Sequence, residues 1–145
     1  MSRIAPQSGP RQREPQRKDP TFLRWLHEGL PCIACLIWGE GRRGYLNIEA
    51  AHQKLAIAGR WTEGGGGKRT HDDRCVPLCA WHHRLAPASC DNGQRTFWDA
   101  LGVGDAVADL CADLYAAFQD GRPGAPIIFA YANRAQGFFD DRANL

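Results

Sequence analysis

Two short Cys/His pairs set the strongest constraint on what this chain can fold into. Residues 72–91 read Asp-Asp-Arg-Cys-Val-Pro-Leu-Cys-Ala-Trp-His-His-Arg-Leu-Ala-Pro-Ala-Ser-Cys-Asp, which gathers three cysteines, two adjacent histidines and three aspartates in one stretch. Within it, Cys79-x-x-His82 has the spacing of half a tetrahedral zinc site, and Cys32-x-x-Cys35 upstream supplies the other half. The expectation is a structural zinc that ties residues 32–35 to residues 79–82. The upstream pair could instead be buried apolar thiols or a redox pair, but the redox motif belongs to a βαβ setting that this region lacks. Cys75, four residues before Cys79, competes for the fourth ligand position. Cys111 reads as packing, and Cys90 as either ligand or packing. His83 is left over one step beyond the zinc set, and with His52 from the intervening segment it points to a second site.

The remaining composition says why a metal would matter. The chain has 145 residues, sixteen of them glycine, and residues 1–19 are a run of Arg, Gln, Pro and Ser with almost no apolar side chain, which cannot offset the entropy of ordering a backbone. So small a remaining core gains much from a metal staple, since structural zinc contributes about 10–16 kcal/mol of binding energy to folding. The expected division is a disordered basic arm over 1–19, one domain over 20–121 and a C-terminal extension over 122–145. No apolar run reaches the length of a membrane span and no secretion signal is evident, so a soluble, cytoplasmic protein without membrane contact is expected. In a reducing compartment clustered Cys and His mean metal more often than disulfide. The net charge of +2 is too mild to imply nucleic acid, but Arg3, Arg11, Arg13, Arg17 and Lys18 against Glu14 make an arm suited to phosphate backbones.

Along the chain, Asp19-Pro20 predicts a helix start, with Phe22, Leu23, Trp25 and Leu26 on its buried side and Gly29 at its end. Leu30 to Cys35 reads as a tight turn offering two thiolates. Alternation over Tyr45–His52 predicts a strand that turns Leu46, Ile48, Ala50 and His52 to one side. Gly64 to Arg69 lacks the Walker pattern and reads as a mobile basic loop. Arg74 to Leu78 reads as a second strand, followed by a short helix carrying His82 and His83 that Pro87 closes. Gln94 to Leu101 reads as a helix anchored by Phe97 and Trp98. Asp105 is expected to cap a longer helix that buries Val107, Leu110, Cys111, Leu114 and Phe118 and stops at Gly121. The apolar piece Pro126 to Tyr131 fits either a docked strand or a loose tail. Trp38, Trp61 and Trp81 read as core or loop anchors rather than base-stacking platforms.

Taken together, Cys-x-x-Cys, then Glu49-Ala50-Ala51-His52, then glycines and Lys68, then the run from Asp72 to His83, then Phe97-Trp98 and Leu101-Gly102 resemble the HNH, or ββα-metal, nucleases, and most closely the small phage and prophage HNH proteins related to the phage recombination-enhancement nuclease. The likeness covers residues 22–104. It implies an α+β fold, a small zinc-stabilised ββα-metal core with flanking helices, and a metal-dependent endonuclease that hydrolyses DNA phosphodiester bonds. Carried across residue by residue, His52 matches the general base, His83 a ligand of the catalytic ion, and Cys32, Cys35, Cys79 and His82 the structural zinc set. Imidazole, with an ordinary pKa near 6.5, suits proton abstraction from water at neutral pH. Two positions depart from the pattern: Ala51 stands where a ligand usually precedes the base, and Pro87 stands where the second helix ligand usually lies. Asp91 is the nearest substitute for the latter. The catalytic ion expected is a divalent metal such as Mg²⁺, Mn²⁺ or Ni²⁺, and the partner is DNA, with phage or recombination proteins as possible further ones. Lys54, Arg60, Lys68, Arg69 and Arg74, with Arg42 and Arg43, are the expected phosphate contacts. The alternative is a catalytically weak, zinc-stabilised DNA-binding module derived from such an enzyme.

Overall fold

The computed structural model of the chain describes residues 15–39, 47–62 and 70–143. The first fourteen residues of the arm, Arg42, Arg43, Tyr45, Leu46 and the stretch from Gly64 to Arg69 lie outside the described residues. Among those described, the architecture is α+β: five α-helices around a two-stranded antiparallel sheet.

Helix α1, Pro20–His27, begins as its sequence dictates. The Asp19 carboxylate accepts the Phe22 N–H at 3.1 Å, Pro20 occupies the first turn where no N–H is needed, and Gly29 takes up φ +81° just past the end. The helix buries Phe22 and Leu26. Helix α2, Ile33–Trp38, replaces the expected tight turn: Cys32 is its N-cap residue and Cys35 lies in its first turn. The reason lies in the core, since Ile33, Ala34 and Ile37 are buried along this helix.

Strand β1, Ile48–His52, pairs antiparallel with β2, Cys75–Cys79, in the register Ile48↔Cys79, Ala50↔Pro77 and His52↔Cys75. β2 is buried along its whole length, with α1 and α2 among the helices packed against it. The chain then enters a single π-helical turn, Trp81–Leu85, closed by the Ala86 N–H on the Trp81 carbonyl at 2.9 Å. Ala86 itself is extended, as the residue before a proline prefers, and the helix goes no further. Helix α3, Gln94–Ala100, buries Phe97 and Trp98.

Helix α4, Val107–Gln119, buries Val107, Leu110, Cys111 and Leu114 as the periodicity requires. Asp105 does not cap it. It lies in the 3₁₀ turn Gly104–Ala106 that runs straight into α4, and its carboxylate pairs with Arg95. Phe22 meets Tyr115 edge-on at 4.9 Å and Phe118 at 5.3 Å, an aromatic cluster that joins α1 to α4. The Pro126–Tyr131 piece is neither strand nor loose tail: it opens helix α5, Ala125–Ala143. Ile128, Tyr131, Ala132 and Ala135 recur at three- and four-residue intervals and join the common core, and Gln136 donates to the Leu36 carbonyl at 3.0 Å. α5 thus lies against α2, the helix that carries Cys35.

Residues 15–19, read from sequence as the end of the arm, run alongside residues 70–73. The Asp72 N–H donates to the Arg17 carbonyl, the Arg17 N–H to His71 Nδ1, and Gln16 Nε2 to the Thr70 carbonyl, at 2.8, 2.8 and 2.9 Å. Arg17 also pairs with Asp73 at 3.0 Å. These contacts tie the last residues of the arm to residues 70–73. No helix among the described residues is long and apolar enough to cross a membrane.

Candidate metal centre and adjoining cleft

The N-terminal turn of α2, the end of β2 and the turn after it bring Cys32, Cys35, Cys79 and His82 together, all four buried, with their ligand atoms within 4.8 Å of one another. Zn–S bonds of about 2.3 Å and Zn–N bonds of about 2.0–2.1 Å at tetrahedral angles give edges of about 3.8 Å between sulfurs and about 3.5 Å between sulfur and nitrogen. The observed Cys35–Cys79 sulfur separation is 3.8 Å, and His82 Nδ1 lies 3.7, 3.5 and 3.3 Å from the sulfurs of Cys32, Cys35 and Cys79. These four separations match the edges of a closed zinc tetrahedron, and the group could hold such a metal. The hydrogen bond with Cys32, and then burial, push the Cys79 thiol well above its ordinary range, so a cation entering here would displace protons. Trp38, 39% exposed, sets its ring 5.4 Å from that of His82 and edge-on to Phe97, an anchor at the rim of the cluster.

The other cysteines stay out of this group. Cys75 and Cys111 are buried, and burial raises both thiols far above the usual range. Cys90 is likewise buried, pushed up to about 12 by desolvation, with its sulfur 3.6 Å from Gln53 Oε1.

Beside this cluster lies an open cleft of about 940 Å³, lined by Ala50 and His52 of β1, Lys54, Asp72, His83 and Asp91 among others. Ala50 and His52 are two residues apart and so share one side of the strand, while Ala51 between them is fully buried on the other. His52 Nε2 lies 2.9 Å from Asp72 Oδ1, and Asp72 Oδ2 accepts the Asp19 N–H at 2.7 Å. His52 Nδ1 has no hydrogen bond to a described residue. Gln94 at the start of α3 fixes the backbone of the same region: its Nε2 donates to the His52 carbonyl at 2.9 Å, and its Oε1 accepts the N–H groups of Lys54 and Leu55.

On the far side, Glu49 Oε1 lies 2.7 Å from His83 Nδ1, and Asp91 Oδ2 is 3.4 Å from His83 Nε2. Two ligand atoms bonded to one ion at about 2.0–2.2 Å stand about 3.0–3.5 Å apart for angles between square and tetrahedral, so His83 and Asp91 have the separation of neighbours in one coordination sphere. Arg84 forks onto both oxygens of Glu49 and holds its carboxyl below the usual range, with the His83 hydrogen bond adding to the effect. Among the described residues, the Cys/His cluster is the group in which three or more candidate ligands converge. His83 and Asp91 are a pair.

The expected phosphate contacts divide. Lys54 is exposed and lines the cleft. Arg60 and Arg74 lie elsewhere, along a smaller groove of about 300 Å³ against α4, where Arg60 pairs with Asp109 and the Arg74 guanidinium sits 5.2 Å from the Trp61 ring centre. Lys68 and Arg69 lie outside the described residues. Sequence reasoning assigned no role to Asp72, Glu49 or Gln94. For Asp72 a signal existed, because pairing His52 with Cys75 sets residues 72–74 beside His52 and Gln53, as the Gln53 N–H on the Arg74 carbonyl at 2.8 Å records. For Glu49 and Gln94 no local pattern pointed to a partner. The chain matches no protein-family model, no curated protein and no solved structure.

Proposed function

We propose that this protein is a metal-dependent DNA endonuclease of the HNH type, hydrolysing phosphodiester bonds through a histidine-activated water. The observation that most supports it is the meeting of His52, from the end of β1, and His83, from the turn after β2, in one open cleft beside a tetrahedral Cys/His cluster. Cys32, Cys35, Cys79 and His82 hold zinc as a structural staple. His83 and Asp91 would hold the catalytic divalent cation, and Glu49, bound to the other ring nitrogen of His83, fixes the orientation of that imidazole. The bound cation supplies Lewis-acid stabilisation of the charge that develops on the phosphate and the leaving oxygen. His52 takes the proton of the attacking water at Nδ1, and Lys54 at the cleft wall meets a neighbouring backbone phosphate.

The test is cleavage of plasmid DNA with Mg²⁺, Mn²⁺ or Ni²⁺, stopped by EDTA before the structural zinc is lost. His52→Ala should lower the rate by about 10²–10⁴ with little loss of DNA affinity, the usual contribution of a positioned general base. His83→Ala should instead raise the concentration of divalent ion needed for half-maximal rate. A protein that binds DNA yet cleaves with none of these ions is the zinc-stabilised DNA-binding module, its catalytic site undone at Ala51 and Pro87. Equal cleavage by wild type and His52→Ala would remove His52 from the mechanism.

A further inference from the structure

We propose that Asp72 is the positioning residue for His52, its carboxylate keeping the imidazole proton on Nε2 and so leaving Nδ1 as the proton-accepting nitrogen. The inference rests on the reading of His52 as the general base. Asp72 is 6% exposed and both its oxygens are engaged, Oδ1 with His52 Nε2 at 2.9 Å and Oδ2 with the Asp19 main-chain N–H at 2.7 Å. A main-chain amide is a fixed donor, so Oδ2 must accept. An ionised carboxylate only accepts, so Oδ1 imposes the same role on its own partner: the nitrogen it meets must carry hydrogen. Neutral imidazole has one N–H, and Asp72 thereby decides which nitrogen has it.

Asp72 is itself held. Its own N–H donates to the Arg17 carbonyl, and its neighbours Thr70 and Asp73 are tied to Gln16 and Arg17. The strap of residues 15–19 thus forms the back wall of the dyad. Gln94 pins the His52 carbonyl, so the residue has its backbone fixed by one partner and its ring proton by another.

The arrangement makes Asp72→Asn an informative change, because an amide has one accepting and one donating end. The Asp19 N–H would take the amide oxygen, the amide NH₂ would turn to His52, and Nε2 would have to accept. The proton would then sit on Nδ1, the wrong nitrogen for a base. In ¹⁵N-histidine NMR of the zinc-loaded full chain at alkaline pH, with the His52 signals assigned from a His52→Gln variant, wild type should show Nε2–H at His52 and Asp72→Asn should show Nδ1–H. DNA cleavage by Asp72→Asn should fall by about 10²–10⁴ in rate with KM and zinc content unchanged. Nδ1–H in wild type, or Nε2–H retained in Asp72→Asn, overturns the inference, and the wild-type spectrum alone decides if the variant does not fold. The expected tautomer switch in a protein that never cleaves DNA upholds the dyad and sinks the nuclease reading instead.

Discussion

Gln53 is a fully buried amide one residue beyond the proposed base, and its bonds show how the site is braced from behind. Its Oε1 accepts the Trp98 indole N–H at 2.7 Å and the Cys90 thiol at 3.6 Å, while its Nε2 donates to the Ala51 carbonyl at 2.9 Å. A buried polar group costs stability unless paired, so the indole N–H matters as much as the ring. Trp98→Phe keeps an aromatic side chain in the core but leaves Gln53 Oε1 with a thiol, a weak donor. The expected loss is about 1–3 kcal/mol of unfolding free energy, read as a lower midpoint in urea with the slope unchanged. A change within error would mean that Gln53 finds another partner. The sequence marked Trp98 as an apolar anchor, and it is one. Its polar bond to a residue forty-five positions earlier has no local signature.

The helices set the frame at the next scale, and two of their contacts carry predictions. Gly124 precedes α5, and a Cβ there would come 2.6 Å from the Trp25 ring and 3.2 Å from Leu30 Cδ2. Gly124→Ala should therefore cost about 1–3 kcal/mol through overpacking, and much less in a Trp25→Leu background, a coupling that a double-mutant cycle measures. Equal costs in both backgrounds would place the strain elsewhere. Tyr115 of α4 donates to Asp19 Oδ2 at 2.7 Å, so the residue that caps α1 also anchors α4. That hydrogen bond, with some desolvation, pushes the phenol up to about 12. The folded pKa lies above the ordinary value near 10, so the stability it adds is complete below pH ~10 and disappears as pH rises towards the folded value. Urea midpoints of wild type should fall more steeply between pH 10 and 12 than those of Tyr115→Phe, and parallel curves would break the assignment.

For the molecule as a whole, the Cys/His cluster joins α2 to the end of β2 and the turn after it, while α5 backs α2. A domain of this size is stable by about 5–15 kcal/mol, and structural zinc contributes about 10–16 kcal/mol in small zinc-dependent folds, so folding and zinc binding should be one event. The expected outcome is one zinc per chain by elemental analysis and loss of the far-UV and near-UV circular dichroism together on strong chelation, restored by Zn²⁺. Cys32→Ser and Cys79→Ser should unfold or aggregate. A soluble Cys32→Ser variant with the thermal midpoint of wild type would reduce the four residues to packing.

What the chain determined by itself is what short-range rules can carry. Spacing picked out the Cys32, Cys35, Cys79 and His82 set, because each pair has the x-x spacing of half a tetrahedral zinc site. Asp19-Pro20 announced α1 through its cap, and the periodicity from Val107 announced α4 through its buried face, both short-range signals. Tertiary structure decided the rest. α5 was not legible because its first apolar stretch is short enough for strand or helix, and the choice falls to α2, which offers a helical stripe to bury. The Cys-x-x-Cys turn became a helix for the same reason, its apolar residues having a core to enter. His52 was visible as a histidine at a strand end, but Asp72 and Gln94 reach it only because the β1–β2 register and the docking of α3 bring positions twenty and forty-two residues away within hydrogen-bond range. Such bonds form between groups that local propensity never compares, so only the packed fold could select them.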